Sequence, residues 1–193
     1  GSPEGALFVS LAGQMARFYD VPSRAGGALT DAKTIGDQSG SEAMLQLFTT
    51  MASGIDFISH GVGILDSYST VSPEKFVLDA ERLRYLNRFH EGFELSEETF
   101  ALDLIEEVEP AGHFLNKRHT LDHAQREFLI PDLAVRSSYD DWASDGKHDA
   151  FRRASDRVDS LLDSYERPSM DEDVERDPDR FVDETLADSR AEN

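Results

Sequence analysis

Apolar residues recur along most of this chain at helical spacing, interrupted in a few places by glycine, proline and serine. Leu7, Leu11, Met15 and Phe18 predict one face of an amphipathic helix over 4–19, closed by Asp20-Val21-Pro22. Met44, Leu47, Phe48 and Met51 mark a second helix, which Gly54 ends. Ser72-Pro73 supplies a cap and a first-turn proline for a third, with Phe76, Ala80 and Leu83 inward. Ser96 opens a fourth, with Phe100, Leu104, Ile105 and Val108 as its stripe. After Thr120 the pattern stays helical and ends in the strong stripe Phe151, Ala154, Val158, Leu161, Leu162 and Tyr165. Two segments break this period. "IDFISHGVGIL", 55–65, is short, β-branched and apolar, and reads as a buried strand. "AGHFLN", 111–116, reads as one more short strand.

The stretch "PSRAGGALTDAKTIGDQSG", 22–40, sets ionisable groups beside bare backbone. Pro22 to Leu29 reads as a strand with its approach, Thr30 to Lys33 as the strand end, and Gly36 to Glu42 as a turn into a capped helix. Helix and strand in alternation predict βα units and a parallel sheet. Only two or three strands are legible, and a closed eight-stranded barrel takes about 250 residues. The expected fold is therefore α/β and helix-rich, part of a (β/α)8 barrel that this chain leaves incomplete. The expected division is barrel over 1–135, a helical segment over 136–167, and an acidic, nearly coreless tail over 168–193.

Charge narrows the partners. Acidic residues number 39 against 19 basic, a net charge of −20. Such a field repels polyphosphate backbones and argues against nucleic acid. Lysine occurs only at Lys33, Lys75, Lys117 and Lys147, and excess acid with scarce lysine predicts a surface suited to high salt, hence a halophilic source. No apolar run is long enough to span a membrane, and the start lacks a signal peptide's basic and apolar regions, so a cytoplasmic protein is expected. Without cysteine, disulfides and thiolate metal sites are excluded.

Several long strings carry a resemblance: "GSPEGALFVSLAGQMARFYDVPSRAGGALTDAK", "FISHGVGILDS", "SPEKFVLDAE", "SEETFALDLIEEVEPAGHFLNKRHTLDH" and "RSSYDDW". In that order and spacing, over about residues 1–168, the chain resembles the trimethylamine methyltransferase family. The resemblance implies a (β/α)8 barrel, of which this chain matches the C-terminal portion. It also implies transfer of a methyl group from a methylated amine to the Co(I) of a separate corrinoid protein. No cofactor is then bound directly, because the corrinoid is carried by the partner. Members acting on trimethylamine contain pyrrolysine, whereas only standard residues occur here, and members lacking it resemble enzymes for quaternary amines such as glycine betaine.

In a barrel, chemistry sits where strands end and βα loops begin. Asp31 could face a substrate ammonium or cap a turn. Lys33 could neutralise a substrate carboxylate or pair with Asp31 or Asp37. Thr30 shares that strand end, and Arg24 could hold a carboxylate bidentately or make a structural ion pair. His60 ends the second apolar run beside Gly61 and Gly63, with bare backbone where substrate or corrinoid could approach. Asp66 could orient His60 or face the cation, and Phe57 and Tyr68 are cage aromatics or core. Asp31 and His60 are thus the catalytic candidates; Arg24, Thr30, Lys33, Phe57, Asp66 and Tyr68 are the substrate-binding ones.

Ser39 and Glu42 have the spacing of a capping box, which takes Glu42 off the catalytic list. His113, His119 and His123 invite a metal, with Thr120 expected to cap the helix and His119 just outside it, but no H-E-x-x-H accompanies them and no metal is assigned. Two other readings stand beside the methyltransferase: a barrel lyase using Lys33 as a Schiff base, and an inactive half-barrel serving as an interaction module. A half-barrel exposes edge strands and an apolar face, so association with an N-terminal barrel half or with itself is expected.

Overall fold

Small residues, rather than the apolar stripe, decide how the first helix packs. In the computed structural model, which describes residues 1–108, 110–169, 174, 178 and 180–183, α1 runs Pro3–Tyr19 and buries Ala6, Gly13 and Ala16. A Cβ on Gly13 would come within 2.8 Å of the Ser53 carbonyl, so only glycine permits this approach to the end of α2 (Asp37–Ala52). The stripe expected to face a core is turned outward instead: Leu7 is 66% exposed and Phe18 76%.

The chain divides into two units, 1–159 and 160–193. In the first, β1 (Arg24–Gly26) and β2 (Phe57–Ser59) pair in parallel, with Arg24 opposite Phe57 and Gly26 opposite Ser59. A second, antiparallel pair joins β3 (Ile64–Leu65) to β4 (Thr70–Val71). The single strand expected over 55–65 is therefore two, because His60 at φ 53° and Gly63 at φ 81° turn the chain between them. Mixed α/β structure, dominated by helix, is present as expected.

The long helix α3, Pro73–Glu91, begins as anticipated, with the Ser72 hydroxyl accepting from the Lys75 N–H. Its inward face is only partly the expected one, since Leu83 packs against the core. Lys75, Leu78, Asp79, Glu81 and Leu86 are buried, while Phe76 is half exposed. Ala28, Ala43, Leu47 and Leu86 form one core between β1, α2 and α3, with Met44, Met51 and Leu83 against it. Leu78, Leu133 and Ala154 form another.

The fourth predicted helix breaks at Ala101, which adopts φ 50°, into α4 (Glu97–Phe100) and α5 (Leu102–Glu107). Segment 111–116 is turn and bend rather than strand; Leu115 is exposed there, with no apolar surface to hold it in a sheet. Then come α6 (Arg118–Glu127), α7 (Tyr139–Ser144) and α8 (Ala150–Asp163), of which α8 buries only Ala154. In the second unit, 165–169 has no regular structure. Much of the acidic tail expected over 168–193 lies outside the described residues.

Candidate functional site

Backbone hydrogen bonds carry the parallel pairing past the strand ends: Gly27 N–H donates to Ser59 O (3.0 Å) and Ala28 N–H to Gly61 O (3.3 Å). At this crossing a Cβ on Gly27 would sit 2.5 Å from the Gly61 Cα. Gly27 thus lets two loops touch each other at this point rather than leaving free space there.

Beyond the crossing, the loop after β1 meets the turn after β3. Asp66 and Ser67 donate their N–H groups to Ala32 O (3.0 Å) and Thr30 O (3.1 Å). Side chains then interlock. The Ser67 hydroxyl donates to Asp31 Oδ1. Lys33 Nζ lies 2.7 Å from Asp66 Oδ1 and donates to the Asp31 carbonyl at the same distance. The Ser67 hydroxyl holds the Asp31 carboxyl below the usual range, with a lesser contribution from Lys33. The hydrogen bond to Asp66 raises Lys33, partly against desolvation. A Schiff-base lysine must be lowered instead, so the pairing argues against that use of Lys33.

Glu42 joins this cluster. The Ser39 hydroxyl bonds to the N–H and C=O of Gly36, since α2 begins at Asp37 and not after Ser39. Released from capping, Glu42 Oε2 accepts from the Thr30 hydroxyl (2.7 Å) and the Asp31 N–H (2.8 Å), and Oε1 from Gln38 (2.9 Å). Burial pushes Glu42 up, but the bonds from Thr30, Gln38 and Asp31 leave it below its ordinary value. Thr30 is fully buried and holds the carboxylate in place.

His60 and Tyr68 close the cluster edge to face, with ring centroids 5.0 Å apart. His60, Asp66, Ser67 and Tyr68 all adopt positive φ. Such backbone costs about 1–3 kcal/mol per residue and persists only where surroundings enforce it. Four such residues in nine mark this turn as a place where side-chain direction outweighs local stability.

Thr30, Asp31, Lys33, His60, Asp66 and Tyr68 are therefore brought to one end of the parallel pair. Arg24 and Phe57 open β1 and β2 and face each other in register at the opposite end. Both are exposed and outside the cluster. His119 lies inside α6, because the helix starts at Arg118 rather than at Thr120. It stacks on His123 at 3.9 Å, and His113 joins no such group. Among the described residues no three metal-ligating side chains converge.

The residues missed by sequence reasoning lie behind the loops. Lys75 Nζ donates to the Ala28 carbonyl (3.1 Å) and lies 2.5 Å from Asp79 Oδ2. Asp79 also accepts from the Gly63 N–H (2.9 Å) and from Arg82 Nη1 (2.6 Å). This triad fastens both loops to α3. Lys75, Asp79 and Arg82, at i, i+4 and i+7 on one helix face, were the signal available for it. Ser67 gave no such signal.

Three carboxylates, Asp31, Glu42 and Asp66, thus surround a single lysine at the strand ends, beside an aromatic ring and an imidazole. The arrangement suits a small cation more than an anion.

A family model described as trimethylamine methyltransferase (MTTB) matches residues 1–189. The chain is 41% identical over 182 residues to a glycine betaine methyltransferase of Desulfitobacterium hafniense (strain Y51), covering 94% of its own length and 38% of that relative. It is 35% identical over 170 residues to an L-carnitine:corrinoid methyltransferase of Eubacterium limosum, covering 87% and 35%. To a trimethylamine methyltransferase of Methanosarcina mazei it is 30% identical over 186 residues, covering 95% and 37%. The chain spans less than two fifths of the length of these relatives. No helix among the described residues is long and apolar enough to cross a membrane.

Proposed function

Since the chain belongs to the trimethylamine methyltransferase family, we propose that it forms part of an enzyme demethylating a quaternary amine of the glycine betaine kind, with trimethylamine as the alternative donor. The methyl acceptor is the Co(I) of a separate corrinoid protein. The observation that carries this reading is the 41% identity, over nearly the whole chain, to a glycine betaine methyltransferase. The parallel β1–β2 pair with its helices is then the C-terminal part of a (β/α)8 barrel, and the cluster sits at the strand ends, where such barrels place their chemistry.

When its carrier docks, the corrinoid supplies the nucleophile. The work of this chain is to bind and orient the donor. Asp31 and Asp66 offer negative charge to the ammonium, and the exposed Tyr68 offers a ring face. Lys33, kept protonated by Asp66, can turn to the carboxylate of a betaine. The methyl–nitrogen bond breaks with its electron pair on nitrogen, giving a neutral tertiary amine, so no side chain has to donate a proton. His60 and Tyr68, exposed at the crest of the loops, form the face toward which the corrinoid carrier would approach. Glu42 and the Lys75–Asp79–Arg82 triad act through the loops they hold.

The exposed apolar side of α1, with Leu7, Phe8, Leu11, Met15 and Phe18, favours association with the rest of a barrel or with a second copy. The testing experiment supplies the chain with the remaining part of such a barrel and Co(I)-corrinoid protein, then compares glycine betaine, carnitine and trimethylamine as donors. Methylation of the corrinoid, fastest with a quaternary amine, is expected; none with any donor removes the reading.

A further inference from the structure

The three residues that follow β3, Asp66, Ser67 and Tyr68, stand at φ 49°, 50° and 80°. None is glycine, so each bears the cost of left-handed backbone. Three backbone bonds already hold this turn: Asp66 N–H to Ala32 O, Ser67 N–H to Thr30 O and Ser69 N–H to Asp66 O, at 3.0, 3.1 and 2.9 Å. Its side chains are therefore available for other work, and each reaches a member of the strand-end cluster. Asp66 takes Lys33, Tyr68 packs against the His60 ring, and the Ser67 hydroxyl donates to Asp31 Oδ1.

Asp31 is the residue most closely fixed by this arrangement. Its N–H donates to Glu42 Oε2 of α2 (2.8 Å) and its carbonyl accepts from Lys33 Nζ (2.7 Å). Those two bonds set the backbone and leave the direction of the carboxylate open. Among the described residues, Ser67 is the side chain hydrogen-bonded to that carboxylate. The same bond is the main reason the Asp31 carboxyl lies below its ordinary value, since a donor aimed at the charged form favours it.

We infer that Ser67 is a positioning residue for the methyl donor: its hydroxyl aims the Asp31 carboxylate at the substrate ammonium, and the left-handed turn places that hydroxyl where it reaches Asp31. The inference rests on Asp31 as the partner of the ammonium, the role proposed above. Ser67 acts through Asp31 and touches no reacting atom.

Ser67→Gly and Ser67→Ala separate positioning from a structural role. Both remove the hydroxyl, but only glycine relieves the φ of 50°, so Tm should be higher in the glycine variant than in the alanine one. Both should nevertheless share one functional defect. With the rest of the barrel and Co(I)-corrinoid protein supplied, KM for glycine betaine should rise about tenfold in each, with kcat little changed. A carbon NMR titration of the Asp31 carboxyl, assigned with Asp31→Asn, should move up toward the ordinary aspartate value in each. An unchanged KM, or a KM that follows Tm so that glycine restores what alanine loses, overturns the assignment. Should Ser67→Ala fail to fold, the glycine variant carries the test. If the unmodified chain turns over no donor, the methyltransferase reading fails and the Asp31 titration decides on Ser67: a shift upholds its hold on the carboxylate, and an unshifted carboxyl overturns it.

Discussion

Lys75 Nζ lies 2.5 Å from Asp79 Oδ2, and the two side chains are 1% and 0% exposed. Burial pushes the Lys75 ammonium down in pKa, against the pull of Asp79. The pair bridges α3 to the Ala28 carbonyl on one loop and the Gly63 N–H on the other. Its role is to fix two loops, the second of which bears unfavourable dihedrals at His60, Asp66, Ser67 and Tyr68.

Asp79→Ala leaves the Lys75 charge buried with only a carbonyl, a loss of about 3–5 kcal/mol for such a pair. Lys75→Met costs less, because Asp79 retains Arg82 and Gly63. Denaturant melts of both variants check the order; equal or negligible losses contradict the bracing role.

Glu42→Gln should loosen the strand end more than the helix that carries it. An amide offers a weaker acceptor to the Thr30 hydroxyl and the Asp31 N–H, at a cost of about 1–2 kcal/mol. Hydrogen exchange should quicken at the Asp31 amide and not along the second half of α2. Unchanged exchange at Asp31 would return Glu42 to a purely helical role.

Acid should weaken the fold through the same groups. Asp31, Glu42, Asp56 and Glu74 are all lowered from their ordinary values, Asp56 chiefly by the Ser23 hydroxyl. Lowered carboxylates stabilise above their unfolded values, about 4, and lose that contribution as pH falls through the folded ones. Tm should hold from pH 7 to about 5 and decline below about 4. Lys33, raised mainly by Asp66, has the opposite sense: its contribution is lost only as strongly alkaline pH passes its raised value. A Tm that rises on acidification contradicts the carboxylate assignments, and one unchanged through strongly alkaline pH contradicts that of Lys33.

The net charge of −20 makes salt a second lever. Screening shortens from about 10 Å at 0.1 M salt to about 3 Å at 1 M, so Tm should climb with KCl. A flat profile removes the halophilic reading.

How much of this was legible beforehand differs by element. The start of α3 followed from Ser72 and Pro73, whose effects are local and survive any tertiary context. The place of His60, directly after β2, also followed, whereas β1 stops at Gly26, short of the Leu29 expected, so Asp31 lies in the loop beyond it. Facing was not legible. On α1 the small residues Ala6, Gly13 and Ala16 set the packed side, and periodicity cannot weigh close approach against apolar area. Ser39 and Glu42 had the right spacing for a capping box, yet Ser39 turned back three residues to Gly36, and spacing alone does not reveal which way a hydroxyl points. The Lys75–Asp79–Arg82 face was passed over because charged helical residues are usually solvated.

The central claim is tested most directly by following corrinoid methylation spectroscopically, with the rest of the barrel supplied and glycine betaine as donor. The account predicts turnover by the unmodified chain and a higher KM, with the fold retained, in Asp31→Asn and Asp66→Asn. No turnover with any quaternary amine, or turnover indifferent to both substitutions, would contradict it.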